Sequence, residues 1–334
     1  MGIKIGINGF GRIGRMVLSS IVENNRKDIE VVAINNRGSS EVSSFLLKHD
    51  TIHGKLKAKI SHSENAIEIN GKKINIIHES EISKINWKKY NVDIVLECTG
   101  KFNTKEKSSL HLSSGAKKVL VSAPCKGAIN IVYGVNQKIL KKDDVVIAAA
   151  SCTTNCLAPV AKVINDNFGI EHGFMTTIHS YTTDQRLLDN SHKDLRRARS
   201  APNSMIPTTT GATKSLGDVI PDLKGKVEGI SIRVPTPNVS LVEFVFSSKK
   251  EITIKKINDS FIKSSKSELK NILDTSNEQL VSSDFNHDPH SSIVDLSLTK
   301  VVEGKMAKVS AWYDNEWGFA NRMCDLAVYL GNIK

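Results

Sequence analysis

The chain lacks the features that mark membrane, secreted and metal-stabilised proteins. No apolar run approaches the ~18 residues of a membrane span, and the N-terminus has no basic region followed by an apolar stretch and a cleavage site. The five cysteines are an odd number, and none stands in a CxxC pair. We therefore expect a soluble, cytoplasmic protein with reduced thiols, no bound metal and no membrane partner.

Aromatic residues are also scarce, at 5% of the chain, and no RRM, zinc-finger or helix-turn-helix signature is present. This disfavours a specific nucleic-acid partner, although Lys and Arg exceed Asp and Glu by 46 − 35 = 11. The same excess of positive charge also suits small phosphorylated ligands. The 334 residues, 40% of them hydrophobic, predict roughly two globular domains.

The first half of the chain alternates short apolar strands with helical patterns. Strands that are apolar throughout favour a parallel sheet covered by helices on both faces. A pair of alternating segments around Gly71 predicts a hairpin at the edge of that sheet. The predicted parallel strands are at 3–8, 31–35, 93–98, 117–122 and 145–149.

The second half has a different rhythm, in which a predicted helix over 152–168 is followed by longer strands with clearer alternation. These strands predict a mostly antiparallel sheet with one face covered by helices. The segment 180–206 carries many charges and no period, and a loop of this length in a compact domain is usually functional. An amphipathic helix is expected over the last 18 residues. The predicted strands are at 173–180, 227–234, 240–247 and 306–313.

Gly9, Gly11 and Gly14 form a GxGxxG motif between the first predicted strand and the helix that follows it. In this setting the first glycine permits a tight turn, the second lets the backbone approach a pyrophosphate, and the third lets the helix pack closely. The amides at the helix start then hold the phosphates. The motif predicts a dinucleotide cofactor and an α/β fold with a Rossmann domain.

The end of the second strand bears on which dinucleotide is bound. A site of this kind usually places Asp or Glu about 20 residues past the glycines, at the ribose 2′-hydroxyl. Here the strand ends in Asn35 and Asn36, followed by Arg37. An amide does not repel a 2′-phosphate and the guanidinium can pair with one, so NADP is a candidate beside NAD. The alternative is that Arg37 is a solvated surface residue.

Cys152 stands where a predicted strand gives way to a helix. Amides and the dipole at a helix start stabilise a thiolate, which makes Cys152 the nucleophile candidate among the five cysteines. Cys156, one turn later, is interpreted as a packing residue. His179 ends a predicted strand before the long loop and is the candidate general base, although a strand-end histidine taken alone is more often structural.

Seven motifs, in order between residues 8 and 318, resemble those of phosphorylating glyceraldehyde-3-phosphate dehydrogenase. They are NGFGRIGR, ASCTTNCLAP, HSYTTDQ, HKDLRRARSA, IPTTTGA, RVPTPNVS and WYDNEWG. The resemblance implies a homotetramer whose subunits have a Rossmann domain, 1–151 with 316–334, and an α+β catalytic domain, 152–315. The loop 180–206 would lie at a subunit interface, near the cofactor of a neighbouring subunit.

The reaction that the resemblance implies is the phosphorylating oxidation of glyceraldehyde 3-phosphate to 1,3-bisphosphoglycerate, or its reverse, in glycolysis or gluconeogenesis. The Cys152 thiolate would attack the aldehyde, and a hydride would pass to NAD or NADP while His179 takes the hydroxyl proton. Inorganic phosphate would then attack the resulting thioester. The expected small-molecule partners are therefore glyceraldehyde 3-phosphate and inorganic phosphate.

The resemblance assigns further roles to residues at matching positions. Arg12 and Ile13 would contact the pyrophosphate, and Ser122 and Asn315 would lie near the nicotinamide. Hydroxyl, guanidinium and amide groups that suit an oxyanion would bind the substrate phosphate and inorganic phosphate. These groups are Thr182 and Arg233 for the substrate phosphate, and Ser151, Thr153, Arg197, Thr210 and Gly211 for inorganic phosphate or a shifted substrate phosphate.

Two departures from the NAD-specific members of the family bear on the cofactor. Asn36 stands in place of an Asp, and Asn190-Ser191 stands in place of Leu-Pro. Both positions lie on the adenosine-ribose side of the cofactor in the family. Together they favour the use of both NAD and NADP.

Two alternative functions stay open. Erythrose-4-phosphate dehydrogenases share the segments 284–291 and 314–323, but the Thr210-Gly211 pair of IPTTTGA resembles the phosphate-accepting glyceraldehyde-3-phosphate enzymes. The other alternative is a basic nucleic-acid-binding protein with a decayed Rossmann domain. An intact Cys152 and His179 would be unexpected in such a protein.

Overall fold

The computed structural model describes residues 2–333, which form two compact units. The first unit holds residues 2–133, Gln137–Ala150 and residues 320–333, and the second holds Gly134–Asn136 and Ser151–Phe319. The domain boundaries predicted from the sequence, which lie after residues 151 and 315, stay a prediction. Within residues 2–333, no helix is both long enough and apolar enough to cross a membrane.

The first unit is built on a nine-stranded sheet and a separate two-stranded sheet. Its strands are β1 (Ile3–Asn8), β2 (Ile29–Asn35), β3 (His49–Asp50), β4 (Gly54–Lys55), β5 (Ile60–Ser63), β6 (Ala66–Ile69), β7 (Lys72–Ile77), β8 (Ile94–Glu97), β9 (Lys118–Val121), β10 (Ile129–Asn130) and β11 (Val146–Ala148). The order across the large sheet is β10-β11-β9-β8-β1-β2-β7-β6-β5, and β3 pairs with β4.

This sheet confirms the predicted parallel arrangement. All neighbours from β10 to β7 are parallel, and only β5, β6 and β7 pair antiparallel at one edge, where β6 and β7 form the predicted hairpin around Gly71. Its central strands are apolar on both faces, and Ile5, Val95 and Leu120 are fully buried. The helices of this unit are α1 (Arg12–Glu23), α2 (Ser40–Lys48) and α3 (Lys105–Ser113).

The second unit pairs a mixed sheet with helices. In chain order its elements are α4 (Cys152–Phe168), β12 (Ile170–Ser180), β13 (Ile206–Thr209), α5 (Ala212–Val219), β14 (Val227–Val234), β15 (Ser240–Ser248), α6 (Ile254–Lys266), β16 (Leu273–Ser276), β17 (Ser292–Asp295), β18 (Lys300–Val302) and β19 (Met306–Tyr313). The strand order is β13-β14-β12-β15-β19-β17-β16, with β18 beside β19. The sheet is mostly antiparallel, as predicted, but β12 with β14 and β16 with β17 are parallel pairs.

The last helix, α7 (Trp317–Asn332), begins in the second unit, and its residues from Ala320 onward belong to the first. Backbone amides of Glu316 and Trp317 donate to the Asp314 carboxylate at 2.9 and 2.7 Å, which caps its start. The helix is confirmed, and its amphipathic pattern is present: Asp325, Val328 and Tyr329 are half-buried and Asn332 is exposed, at the spacing of one helix side, while the opposite side is buried. Helix α7 therefore buries most of its surface and leaves one narrow side accessible.

Candidate active site

A glycine turn in the first unit joins β1 to α1. Gly9 has φ of +95°, which glycine adopts without strain, and a Cβ there would meet Thr99 at 2.8 Å. A Cβ at Gly14 would overlap the carbonyl oxygen of Gly9, whereas one at Gly11 would meet nothing within 4 Å. Gly9 and Gly14 thus let the turn and helix pack, while Gly11 leaves open space at the helix start.

This open space belongs to a cavity of about 260 Å³ at the end of β1 and the start of α1. No side chain caps α1, because its N-cap position is Gly11, whereas Ser39 and Thr104 cap α2 and α3. An uncapped helix start, a backbone open to close approach and a cavity beside both fit a dinucleotide pyrophosphate. The cavity is lined by Asn8, Gly9, Phe10, Gly11, Asn35, Asn36, Arg37, Glu79, Ser80, Ile82, Cys98, Thr99, Lys101 and Phe102.

The other cofactor residues predicted in this unit differ in their hydrogen-bond partners and in whether they line the cavity. The guanidinium of Arg12 pairs with Asp50, and neither Arg12 nor Ile13 lines the cavity. Asn36 Nδ2 donates to Ser43 Oγ at 3.0 Å, and Arg37 is exposed beside it. The Ser122 hydroxyl donates to the carbonyl of the residue that ends β8, at 3.0 Å.

In the second unit, the predicted nucleophile is the first residue of α4. The chain enters this helix through Ala150, whose φ of +55° is unusual for a residue with a side chain. Ser151 caps the helix, since its Oγ accepts from the backbone amide of Thr154 at 3.0 Å. Cys152 Sγ then lies 3.5 Å from Nε2 of His179, the next-to-last residue of β12. The structure thus brings together the two candidates that the sequence places 27 residues apart.

Arg233 on β14 completes this arrangement, because the parallel register of β12 and β14 sets it opposite His179. Its Nη1 lies 2.9 Å from His179 Nδ1 and donates to the carbonyl of Ser180 at 3.0 Å. Nδ1 is also 2.7 Å from that carbonyl oxygen. A proton on Nδ1 therefore bonds the carbonyl and leaves the Nε2 lone pair facing Cys152.

Burial controls the protonation of this group. It raises the pKa of the Cys152 thiol above its ordinary value, and the charge of Arg233 and the Thr153 amide oppose this rise. Burial, together with the charge of Arg233, lowers the pKa of His179 to about 3, although its hydrogen bond to Ser180 acts in the other direction. At neutral pH the pair is therefore a thiol beside a neutral imidazole that can accept its proton. This differs from the stabilised thiolate that the helix start alone predicts.

The pKa of His179 makes stability depend on pH. Between pH 6.5, where a free histidine titrates, and about pH 3, only the unfolded chain binds a proton at this position, so stability falls as pH falls. We expect His179→Asn to reduce the slope of unfolding free energy against pH by up to about 1.4 kcal/mol per unit in this window. Urea unfolding at pH 4.5 and 6.5 measures this slope. The control is His172→Asn, at an exposed position on the same strand. Equal slopes for wild type and His179→Asn contradict the prediction.

Two residues of WYDNEWG hold the surroundings of the pair in place. The hydroxyl of Tyr313 lies 2.9 Å from both Thr153 Oγ1 and Thr177 Oγ1, and its ring stands edge-on to His179. Asn315 Oδ1 accepts from the hydroxyls of Ser180 and Ser240, each at 2.9 Å, which fixes the direction of its carboxamide. The sequence reasoning included Thr153 and Asn315 but missed Tyr313. Tyr313 lies in the same motif as Asn315, and this position could have marked it as a site residue.

The remaining phosphate candidates lie in two loops of this unit. Thr182 donates its hydroxyl and backbone amide to Gln185 Oε1, at 3.2 and 2.9 Å. Arg197 pairs with Asp184 and bonds β13 through Thr208 Oγ1 and the Thr209 carbonyl, at 2.8 and 3.1 Å. Thr210 and Gly211 connect that strand to α5, with Gly211 at the N-cap position, and the Thr210 hydroxyl accepts from the Ala212 amide. Arg197 is therefore held at the end of β13, the strand that Thr210 follows, and the phosphate role of these residues stays a prediction.

Comparison with known proteins gives a consistent result across the whole chain. Residues 3–105 match the family model described as the NAD binding domain of glyceraldehyde 3-phosphate dehydrogenase, and residues 151–315 match its C-terminal domain. The chain is 53% identical to the glyceraldehyde-3-phosphate dehydrogenase of Cereibacter sphaeroides over 334 residues, with 100% of both chains covered. Its identity to the enzymes of the same name from Xanthobacter flavus and Zymomonas mobilis is 51% and 52%, with 100% and 99% of each chain covered.

Proposed function

The chain belongs to the glyceraldehyde-3-phosphate dehydrogenase family, and we propose that it oxidises D-glyceraldehyde 3-phosphate to 1,3-bisphosphoglycerate through a thioester on Cys152. Membership makes it an NAD(P)-dependent oxidoreductase that acts on an aldehyde group. The observation that carries the proposed mechanism is the 3.5 Å contact between Cys152 Sγ and His179 Nε2. Both directions of the reaction, in glycolysis and in gluconeogenesis, use the same residues.

The first step is attack of Cys152 on the aldehyde carbon. The neutral His179 accepts the thiol proton at Nε2, and the sulfur forms a bond to the carbonyl carbon. The carbonyl π electrons move to the oxygen, which takes this proton back from Nε2 and becomes the hydroxyl of the hemithioacetal. That hydroxyl later gives its proton to the same nitrogen when the hydride leaves. Arg233 and the Ser180 carbonyl keep the imidazole oriented through these transfers.

The cavity in the first unit fits a nicotinamide dinucleotide, which supplies the hydride acceptor when bound. We propose that Gly9, Gly11 and Gly14 and the start of α1, at Arg12 and Ile13, hold its pyrophosphate. Asn36 and Arg37 are proposed at the adenosine ribose, and Ser122 and Asn315 at the nicotinamide. The hydride leaves the hemithioacetal carbon with the C–H electron pair, and the thioester forms on Cys152.

In the last step, inorganic phosphate attacks the thioester and the product leaves as an acyl phosphate. This step needs residues that bind phosphate groups. We propose that Thr182 and Arg233 hold the phosphate of the substrate. A second group with hydroxyl, guanidinium and amide donors is proposed for inorganic phosphate. It consists of Ser151, Thr153, Arg197, Thr210 and Gly211.

Initial rates test this function against its alternatives. We expect turnover with glyceraldehyde 3-phosphate that requires inorganic phosphate. Higher kcat/KM with erythrose 4-phosphate would instead support erythrose-4-phosphate dehydrogenase. The close contact of Cys152 with His179 favours an enzyme over a decayed nucleic-acid-binding protein. Absence of turnover, combined with tight RNA binding that resists salt, would reverse that choice.

Cofactor choice gives a separate prediction. Because position 36 carries no negative charge, we expect activity with both NAD and NADP. We expect Asn36→Asp to weaken the binding of NADP by at least about tenfold and to affect that of NAD far less. Ser43 Oγ can donate to the new carboxylate, so the substitution should fold. Asn70→Asp adds the same charge in the turn between β6 and β7 and is the matched control. A wild type that is inert with millimolar NADP would make Arg37 a surface residue and the enzyme NAD-dependent.

We propose a cytoplasmic homotetramer. Among the described residues all five cysteines are free thiols, which suits a reducing compartment. Large apolar side chains are exposed on the second unit, with Phe174 at 69% on β12 and Leu195 at 83% in the long loop. Contact with another subunit would remove these side chains from water, which supports the proposal of an oligomer. Light scattering on a sizing column tests the tetramer.

A further inference from the structure

Three adjacent strands of the first unit end in polar, buried side chains. Asn8 closes β1, Asn35 closes β2, and Glu97 closes β8, with Glu97 only 1% exposed. Strands β2, β1 and β8 are side by side and parallel, so these side chains meet at one edge of the sheet. In folds of this type, ligands bind outside that edge.

Hydrogen bonds join these strand ends in a row. Asn35 Nδ2 donates to Asn8 Oδ1 at 2.8 Å, and Asn8 Nδ2 donates to Glu97 Oε2 at 2.6 Å. The other carboxylate oxygen, Oε1, accepts from the backbone amide of Thr99 at 2.8 Å and from the Thr99 hydroxyl. Asn8, Asn35 and Thr99 line the dinucleotide cavity, whereas Glu97 does not. Glu97 thus lies directly behind the residues that face the cavity.

Two further buried side chains fix the carboxylate from the core side. Trp87 Nε1 donates to His111 Nδ1 at 3.0 Å, so the imidazole carries its proton on Nε2. His111 Nε2 then donates to Glu97 Oε2 at 3.0 Å. Both Trp87 and His111 are fully buried. The row therefore runs from the core through Glu97 to the cavity, with every donor direction determined.

We propose that Glu97 is a positioning residue for the dinucleotide cofactor, which holds Asn8 and Thr99 in the orientation that the cofactor meets. This inference rests on the dinucleotide binding of the proposed function. Only a carboxylate can accept on both oxygens from the donors of Asn8, Thr99 and His111. A glutamine has nearly the same shape, but its NH₂ group would face one of these donors. The exchange of one oxygen for nitrogen should therefore disturb the cavity wall.

The test compares cofactor affinity with stability in four variants. We expect Glu97→Gln and His111→Leu to weaken NAD binding in calorimetry by about tenfold or more. His111→Gln should keep the affinity within about threefold, because its amide can accept from Trp87 and donate to Glu97. The control is Glu243→Gln, at a carboxylate on β15 that accepts from Lys308 and Ser310 in the other unit. For Glu97→Gln the KM for NAD should rise while that for glyceraldehyde 3-phosphate stays unchanged.

The outcomes separate the possible roles. If Glu97→Gln and His111→Leu lower the melting temperature but leave the Kd for NAD within about twofold of wild type, the network is purely structural and the inference is wrong. If Glu97→Gln does not fold, the Kd of His111→Leu for NAD is compared with that of His111→Gln instead. Values within about twofold of each other again make the network purely structural. A wild type that binds neither NAD nor NADP contradicts the proposed function, and this inference with it. If the wild type binds NAD, and Glu97→Gln and His111→Leu bind it equally well, the proposed function stands and only the inference about Glu97 is wrong.

Discussion

Cys152→Ser should abolish dehydrogenase turnover, with a loss of at least about 10⁴-fold in kcat, while NAD binding is retained. The serine hydroxyl is a much weaker nucleophile than sulfur, and the neutral His179 at this site is a weak base for it. The cofactor cavity is formed by residues of the first unit, so its glycine turn is unaffected. Initial rates and calorimetry with NAD measure the two properties separately.

Cys156 provides the matched control for this experiment. It lies one turn later on α4, is fully buried, and has its Sγ 3.8 Å from the Ala311 carbonyl oxygen. Burial raises the pKa of its thiol well above the ordinary value and also keeps reagents from its sulfur, whereas Cys152 is partly exposed. Alkylating agents should modify Cys152 first. An inactive Cys156→Ser beside an active Cys152→Ser would show that the nucleophile is assigned to the wrong residue.

His179→Asn should lower kcat by about 10² to 10⁴, the range typical of a lost general base. The Cys152 thiol has a raised pKa, so without an acceptor at 3.5 Å its proton has no neighbouring group to move to when the sulfur attacks the aldehyde. The rate should partly recover as pH rises, because hydroxide can then remove the proton. The measurement is the pH dependence of kcat/KM for both proteins.

Folding of this variant is checked by NAD affinity and circular dichroism. The guanidinium of Arg233 keeps a partner in this variant, because it donates to the Ser180 carbonyl, which the substitution does not remove. A His179→Asn enzyme whose pH-rate profile has the wild-type shape would mean that the imidazole only fills space beside Cys152. The prediction would then fail even if the rate itself were lower.

Much of the fold follows from local patterns in the sequence. The apolar runs predict β1, β8 and β9 because a strand buried on both faces has no polar alternation. Helix α4 has the predicted bounds, since Ser151 is a good N-cap and Gly169 follows its last residue. These signals lie within a few residues of the elements that they determine.

The geometry of the catalytic group could not be read in the same way. His179 meets Arg233 because β12 and β14 pair in parallel, and this pairing joins strands separated by the long loop, β13 and α5. The sequence predicted antiparallel neighbours in this sheet, and no local pattern gives the register of such distant strands. The low pKa of His179 also follows from burial in the folded unit, which sequence alone does not quantify.

The network around Glu97 was missed although its signal was present. The runs IKIGIN, VVAIN and DIVLEC each carry a polar residue at or next to the end of an apolar strand. A polar side chain at the carboxyl end of a parallel strand points to the ligand edge of the sheet. Its partners Trp87 and His111 come from other elements, so the full row becomes visible only in the folded chain.

The two-unit path of α7 sets the order in which a chain emerging from the ribosome can complete its structure. Met323, Cys324 and Leu330 are buried parts of the first unit, and a Cβ at Gly331 would overlap Ile3 of the first strand. The residues of the second unit have all been synthesised once Phe319 has been added. Although most of the nucleotide-binding unit precedes the second unit in the chain, it is completed after it, which reverses the usual N-terminal-first order for these two units.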